Sequence, residues 1–185
     1  MYEICVTNRH LVKGDFLAQI RKVAAGNCDA IILREKDLTE EEYEKLAEEV
    51  LAMGRAYGKP VILHTFFRVA IRLHADGIHL PLPVLRTLKE EEKSAFIKIG
   101  ASVHSVEEAK EAVALGATYL TAGHVFATDC KKGLAPRGLA FLKEVCESVP
   151  VPVYAIGGIN EANAQACIDA GAAGVCRMSG FMQDR

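Results

Sequence analysis

The chain has 185 residues, half of them apolar, and 22 basic against 24 acidic residues give a formal net charge of −2 at pH 7. This length suits one well-buried core, so we expect a single domain over residues 1–185. The balanced charge gives no electrostatic reason to expect nucleic acid or an anionic membrane surface as a partner.

No apolar run of the sequence reaches the length of a membrane span, and no secretory leader opens it, so we expect a cytoplasmic protein with no membrane partner. The six cysteines are scattered and include no Cys-x-x-Cys pair. This pattern favours small buried thiols over disulfides or zinc ligands.

Short apolar or β-branched segments alternate with longer amphipathic ones, as is typical of a parallel sheet linked by crossover helices. The predicted strands are Tyr2–Thr7, Ala30–Leu33, Pro60–His64, Gly77–Leu80, Phe96–Ser102, Thr118–Ala122, Pro152–Ile156 and Gly174–Arg177. The predicted helices are Phe16–Ala25, Thr39–Tyr57, Ser105–Leu115, Arg137–Ser148 and Asn160–Ala170.

Helix starts carry capping signals. Thr39 with Glu42, and Ser105 with Glu108, have the spacing of a capping box, and Asn160 is available as an N-cap.

Eight strands with interleaved helices predict an α/β fold of the (β/α)8 TIM-barrel type, with a doubly wound open sheet as the alternative. The last helix must be short, because only Phe181–Arg185 follow Gly180. We therefore expect a poorly covered seam between the first and last strands. Burial of this seam against a second copy predicts a homodimer.

In a TIM barrel the active site forms where the strands end and the following loops begin. The predicted strand exits carry many polar or glycine residues: Thr7, Asn8, Arg34, Glu35, Lys36, His64, Thr65, Ser102, His104, His124, Gly157, Gly158, Arg177 and Ser179. We expect these residues to converge on one polar face.

A phosphate site is predicted from the last two strand exits. Gly157 and Gly158 let the backbone approach a ligand, and a following helix start offers free N–H groups to an anion. Met178 and Ser179 lie at the neighbouring exit, where TIM barrels commonly complete such a site. The alternative is that the glycine pair only makes a tight turn.

The run Gly123–Gly133 places His124 at the end of a buried strand, before a loop with Lys131 and Lys132. Histidine is the side chain suited to proton transfer near neutral pH, so His124 is the candidate acid and base. The two lysines, together with Arg34 and Lys36, predict a second anion-binding corner.

Two alternatives bear on these charged residues and on the other histidines. Arg34 and Lys36 could instead be surface charges paired with Glu35 or Asp37. His64, His79 and His104 lack the spacing of a metal site, so we predict no metal and leave open whether they assist catalysis.

Five motifs in register resemble the thiamine phosphate synthase and TenI superfamily of (β/α)8 proteins over nearly the whole chain. They are Leu33–Lys36, Ala75–Leu80, Ile99–Ser105, Gly123–Gly133 and Ala155–Ile159.

The resemblance implies one of two enzymes. Synthases of the family join a pyrimidine pyrophosphate to a thiazole phosphate with Mg2+, and they carry glutamine, asparagine and aspartate where this chain has Ile32, His64 and Thr65. They also carry an acidic residue after the fourth strand, which is absent from Pro81–Arg86. Few hard ligands would then remain for Mg2+.

The TenI branch is similar in the full run Gly123–Gly133, and its members are thiazole tautomerases that need no cofactor. The resemblance maps the family's catalytic histidine onto His124 and implies a small phosphorylated thiazole as substrate. Besides the residues already given for phosphate and carboxylate, Ser102 and Thr128 are candidates for contact with this substrate. A thiamine phosphate synthase and a non-catalytic binding or regulatory protein are the alternative functions.

Overall fold

Eight parallel strands close into a barrel in the order in which they occur along the chain. The structure is a computed structural model that describes residues 1–128 and 133–183. The strands are β1 (Tyr2–Val6), β2 (Ala30–Leu33), β3 (Val61–His64), β4 (Gly77–Pro81), β5 (Lys98–Val103), β6 (Tyr119–Gly123), β7 (Val153–Ile156) and β8 (Gly174–Arg177). The predicted TIM barrel is confirmed, and the open sheet is excluded because β8 also pairs with β1.

Helices lie between the strands and cover the outside of the barrel. Those described are α1 (Phe16–Ala25), α2 (Glu40–Tyr57), α3 (Phe67–Arg72), α4 (Leu82–Leu85), α5 (Glu90–Lys93), α6 (Val106–Ala114), α7 (Gly138–Ser148), α8 (Ala164–Asp169) and α9 (Ser179–Met182), with a 3-10 turn at Arg9–Leu11. No helix in the described part of the chain is both long enough and apolar enough to span a bilayer.

The capping predictions have mixed outcomes. The capping box of Thr39 and Glu42 is present at the start of α2. At α6, Ser105 accepts from the Glu108 N–H, but the Glu108 carboxylate accepts from the N–H of His104 instead of Ser105, so the box is only half formed.

The prediction that a helix starts at Asn160 is wrong. The Asn160 side chain accepts from the N–H of Ala162, and the Asn163 side chain accepts from the N–H of Asn160. These bonds hold a turn before α8, which begins only at Ala164.

Alternation along the strands separates two apolar layers. Residues such as Ile31, Leu33 and Leu63 point outwards and pack with the helices in the main core. A smaller cluster fills the barrel interior and contains Ile4, Val6, Ala30, Ile32, Ile62, Tyr119 and Cys176. These interior residues lie directly below the loops at the carboxyl ends of the strands.

The seam between β1 and β8 is covered, contrary to the prediction. The short helix α9 buries Met182, and the Gln19 side chain of α1 donates to the carbonyl of Phe181 at 2.7 Å. Beneath this cover Cys5 and Val175 are fully buried. The homodimer stays a prediction, but the argument for it no longer holds because the seam is covered within the chain itself.

Tyr43 ties α2 to the ends of two strands. It is fully buried, and its hydroxyl donates to the Leu33 carbonyl at 2.5 Å and accepts from the His64 N–H at 2.9 Å. The last residues of β2 and β3 are therefore held by one side chain, directly below the loops that follow them.

Replacing Tyr43 by phenylalanine should cost about 1–3 kcal/mol of unfolding free energy, because a buried carbonyl and a buried N–H lose their partner. Urea unfolding measures this loss. The matched control is Tyr57→Phe at the end of the same helix, where the ring is 42% exposed and the change should be nearly neutral. Equal losses in the two variants would contradict the role given to the Tyr43 hydroxyl.

Candidate functional site

A cavity of about 660 Å³ opens at the carboxyl ends of the strands. Its lining includes most of the residues expected there: Arg34, His64, Ser102, His104, His124, Thr128, Gly157, Gly158, Arg177, Met178 and Ser179. Ile32, His79 and Thr121 also line it, from the strands themselves. The polar strand exits therefore converge as TIM-barrel geometry requires.

One predicted binding residue does not reach the cavity, and two cannot be compared with it. Lys36 is exposed and does not line the cavity. Lys131 and Lys132 lie outside the described residues, so their predicted role stays a prediction.

His124 follows the last residue of β6, and the chain after it runs beside β7. Val125 donates from its N–H to the Ile156 carbonyl at 2.9 Å, and Phe126 donates to the Gly157 carbonyl at 3.0 Å. These bonds extend the pairing of the two strands into the loops. The imidazole is thereby fixed at the cavity wall, where the residue is 8% exposed.

The hydrogen bond of the His124 ring indicates its tautomer. Its Nε2 lies 3.3 Å from the carbonyl oxygen of Leu134, which can only accept. In the neutral ring Nε2 therefore carries the proton, and Nδ1 keeps a lone pair. His124 is thus arranged to act as a base through Nδ1.

The glycine pair after β7 makes room for this loop. A Cβ on Gly157 would overlap the Cβ of His124, and a Cβ on Gly158 would overlap the carbonyl oxygen of Ala127. Both glycines have positive φ, 101° and 66°. Glycine is therefore required at both positions by the packing of the loop after β6. Sequence reasoning had attributed the two glycines to the close approach of a ligand.

The wall formed by Gly157, Gly158, Met178 and Ser179 is suited to an anion by charge. No acidic side chain lies among the described residues that line the cavity. Arg177, at the same wall, is itself paired with Glu3.

Arg34 lines the cavity from the loop after β2, two strands away from β8. The alternative pairing of Arg34 with Glu35 or Asp37 is wrong, because Arg9 binds both carboxylates, at 3.1 Å and 2.7 Å. The Glu35 side chain is 1% exposed and also accepts from the Thr7 hydroxyl at 2.8 Å. Arg34 has no ion-pair partner within residues 1–128 and 133–183, and it can bind an anionic ligand group.

Sequence reasoning missed Arg9. The available signal was a cation at one strand exit and two carboxylates at the next, since parallel neighbours bring such exits together. The arginine fork accounts for the low pKa of Asp37, which Arg9 and His10 hold well below its usual range.

His64 and His79 form a stacked pair inside the barrel, with ring centroids 5.5 Å apart. Burial lowers the pKa of His64 to about 2, with smaller effects from His79, Arg34 and Lys36. Burial, followed by the charge of Arg34, lowers the pKa of His79 to about 3. Both rings are therefore neutral at physiological pH.

Hydrogen bonds to protein groups occupy most of the cavity histidines. His64 bonds to the Thr65 hydroxyl at 2.8 Å, and the His104 ring lies 3.1 Å from Glu108. Among the described residues no cluster of His, Cys, Asp and Glu side chains has the geometry to hold a metal ion.

Comparison with known proteins points in one direction. The family model described as thiamine monophosphate synthase matches residues 3–181. The chain is 35% identical over 178 residues to a putative thiamine-phosphate synthase 2 of Aquifex aeolicus, covering 96% of each chain. It is 36% identical over 184 residues to a thiamine-phosphate synthase of Syntrophomonas wolfei, covering 96% of this chain and 86% of that one. A solved thiamine phosphate pyrophosphorylase from Pyrococcus furiosus has a TM-score of 0.85 at 32% identity, covering 100% of this chain and 88% of that one.

A pair of alanine variants separates loop packing from backbone strain. Gly158 and Gly58 have nearly the same φ, 66° and 65°, but a Cβ on Gly58 meets nothing within 4 Å. Both substitutions should cost about 1–2 kcal/mol for the left-handed backbone. Gly158→Ala should cost about 1–3 kcal/mol more in urea unfolding, because its Cβ displaces the loop of Ala127. Equal losses of unfolding free energy in the two variants would show that the loop of Ala127 moves aside without a measurable cost.

The neutral histidines predict a pH dependence of stability. The pKa of His64 rises from about 2 in the folded chain to 6.5 in the unfolded one, so the unfolded chain binds more protons between these values. Its contribution is complete above pH 6.5 and is lost progressively as the pH falls towards 2. Between pH 7.5 and 5.0 the loss reaches about 2 kcal/mol for one such histidine.

A His64→Gln variant should therefore show a shallower fall in unfolding free energy over this range. The control is His74→Asn, at an exposed histidine, which should fall as steeply as the parent protein. If the His64 variant kept the parent slope, the ring would not be the group that titrates.

Proposed function

We propose that this chain, which belongs to the thiamine monophosphate synthase and TenI family, is a thiazole tautomerase of thiamine biosynthesis. Its substrate would be the thiazole carboxylate phosphate that carries an exocyclic alkene. The product would be the aromatic isomer of the same molecule.

The proposal rests on one observation, the setting of His124. Its ring lines the cavity, its Nε2 is bonded to a backbone carbonyl, and its Nδ1 is left to accept a proton. A general base in a pocket with anion-binding loops fits a phosphorylated carbon acid.

The reaction moves one proton and shifts the double bonds that lie between its two carbons. His124 Nδ1 takes the proton from the sp3 ring carbon, and the released electron pair forms a double bond to the ring nitrogen. The existing ring C=N bond shifts to the adjacent ring carbon–carbon bond, and the former exocyclic double bond takes a proton at its outer carbon, which the imidazolium can return. Aromatisation supplies much of the driving force, so placement of the base contributes more than its strength.

The remaining cavity residues hold the substrate in this proposal. Gly157, Gly158, Met178 and Ser179 would bind the phosphate, and Arg34 would bind the ring carboxylate. Ser102 and Thr128 also line the cavity and would contact the substrate there. Lys36 does not line the cavity, and contact of Lys131 and Lys132 with the carboxylate stays a prediction because both lie outside the described residues.

The names of the relatives favour a second candidate, thiamine phosphate synthase. That reaction needs Mg2+ held by oxygen ligands. The described cavity wall has no carboxylate, and Ile32 and the neutral ring of His64 stand where synthases carry oxygen donors. The described residues do not fit the ion, which favours the tautomerase.

His124→Gln should lower tautomerase turnover at least about 100-fold, the usual contribution of a general base. Affinity for the aromatic product should stay within about threefold, because glutamine keeps the shape and loses only the base. Turnover is measured by NMR as conversion of the exocyclic alkene signal into the signals of the aromatic product, and affinity by calorimetry. His10→Gln is the control, since that side chain is 64% exposed and bonds to Asp37.

Normal turnover in the His124 variant would refute the assigned base. Thiamine phosphate formed by the parent protein from the pyrimidine pyrophosphate, the thiazole phosphate and Mg2+ would favour the synthase. Tight product binding without any isomerisation would favour a non-catalytic binding protein.

A further inference from the structure

A hydrogen-bonded chain runs from the barrel interior to the cavity wall, and the proton transfer proposed above does not use it. Tyr119 Oη lies 2.9 Å from His79 Nδ1, and His79 Nε2 lies 2.8 Å from Ser102 Oγ. Thr121 Oγ1 completes the group, 3.3 Å from both His79 Nε2 and Ser102 Oγ. We call Tyr119, His79 and Ser102 the interior relay.

The chain has room for this relay because residue 100 is glycine. A Cβ at Gly100 would overlap both the Tyr119 hydroxyl and His79 Nδ1. Gly100 lies within β5 and is absent from the residues with positive φ, so backbone strain does not require glycine there. Its requirement is the space for the bond between Tyr119 and His79.

Burial fixes the direction of the relay. Tyr119 is 5% exposed, and within the described ranges its hydroxyl has one hydrogen-bond partner, His79 Nδ1. A buried hydroxyl that cannot donate is costly, so Tyr119 donates to Nδ1. The single proton of the neutral imidazole is then on Nε2, which donates to Ser102.

Ser102 is left with its own proton to place. Its oxygen accepts from His79 and from the Thr121 hydroxyl, and the residue is half-buried at the cavity wall. With both of these bonds made, the Ser102 O–H points into the cavity. Burial keeps the pKa of His79 near 3, so the direction does not reverse at physiological pH.

We propose that His79, oriented by Tyr119, is a positioning residue that fixes Ser102 as a hydrogen-bond donor to an uncharged acceptor on the substrate ring. A heteroaromatic ring nitrogen has this chemistry. The charged groups of the substrate are matched elsewhere, by Arg34 and by the wall at Gly158. This assignment of ring orientation rests on the proposed function, whereas the direction of the relay does not.

The first test is the tautomer of His79 in the free protein. Its 15N chemical shifts should report a protonated Nε2 and an unprotonated Nδ1 in the parent chain. Tyr119→Phe removes the donor and should change this to a mixture of tautomers. A protonated Nδ1 in the parent chain, or no change in the variant, would overturn the relay, whether or not the protein has any activity.

The second test is kinetic. Tyr119→Phe and Ser102→Ala should each raise KM for the thiazole tautomer and the Kd of the product about three- to tenfold, with kcat nearly unchanged. In the Ser102→Ala background, Tyr119→Phe should have no further effect, because both act through one hydroxyl. Tyr154→Phe, a neighbouring interior tyrosine with ring centroid 5.8 Å from that of Tyr119, is the control and should match the parent.

The outcomes separate the two proposals. Additive effects of the two substitutions, or a fall in kcat with unchanged KM, would overturn the positioning role of His79. Absence of turnover in every chain, the parent included, would refute the tautomerase, and product affinity and the His79 tautomer would then decide the relay alone. Thermal unfolding of each variant identifies a loss that comes only from unfolding.

Discussion

The contact between the loop after β6 and the glycines after β7 determines the geometry of the cavity. His124 and Ala127 approach Gly157 and Gly158 so closely that no side chain fits between them. The proposed base and one side of the proposed phosphate wall are thereby parts of one packed unit. A protein interior resists such displacement because it is close-packed, and this keeps the proposed base at a constant distance from the proposed phosphate wall.

The ion pairs around the cavity determine which charged side chains remain available to a ligand. Arg9 pairs with the carboxylates of Glu35 and Asp37, and Arg34 lines the cavity without an ion-pair partner among the described residues. The interior histidines add hydrogen-bonding capacity without charge, because burial disfavours their protonation. The cavity therefore combines one cationic side with a neutral polar floor, a combination suited to an anionic ring with uncharged acceptor atoms.

Most of the fold was predictable because buried parallel strands are nearly continuous apolar runs. The long helices were predictable for a similar reason, since α2 repeats its apolar positions over several turns. The four-residue helices α4 and α5 complete too little of a helical period to be recognised. The start of α8 was misjudged because asparagine is a favoured N-cap residue, and only the hydrogen bonds of the turn that begins at Asn160 show that the helix starts later.

The site was predictable in its location and less so in its contacts. The position of His124 at a strand end could be predicted, because an apolar segment ends just before it. Its bond to Leu134 could not be predicted, because only the fold brings these two residues together. The ion pairs of Arg9 and the bond between His79 and Tyr119 join residues 26 to 40 positions apart, and they depend on strand register and on which face each residue occupies. Neither is contained in a local pattern.

The glycine in β5 has a consequence for the history of this barrel. The ring of Tyr119 occupies the space that any side chain at position 100 would need. Selection therefore acts on the two positions jointly. Among relatives, a larger residue at position 100 should occur together with a smaller one at position 119. An ancestor that acquired the tyrosine before the glycine would have had an overpacked core, and one that acquired the glycine before the tyrosine would have had a cavity in its core.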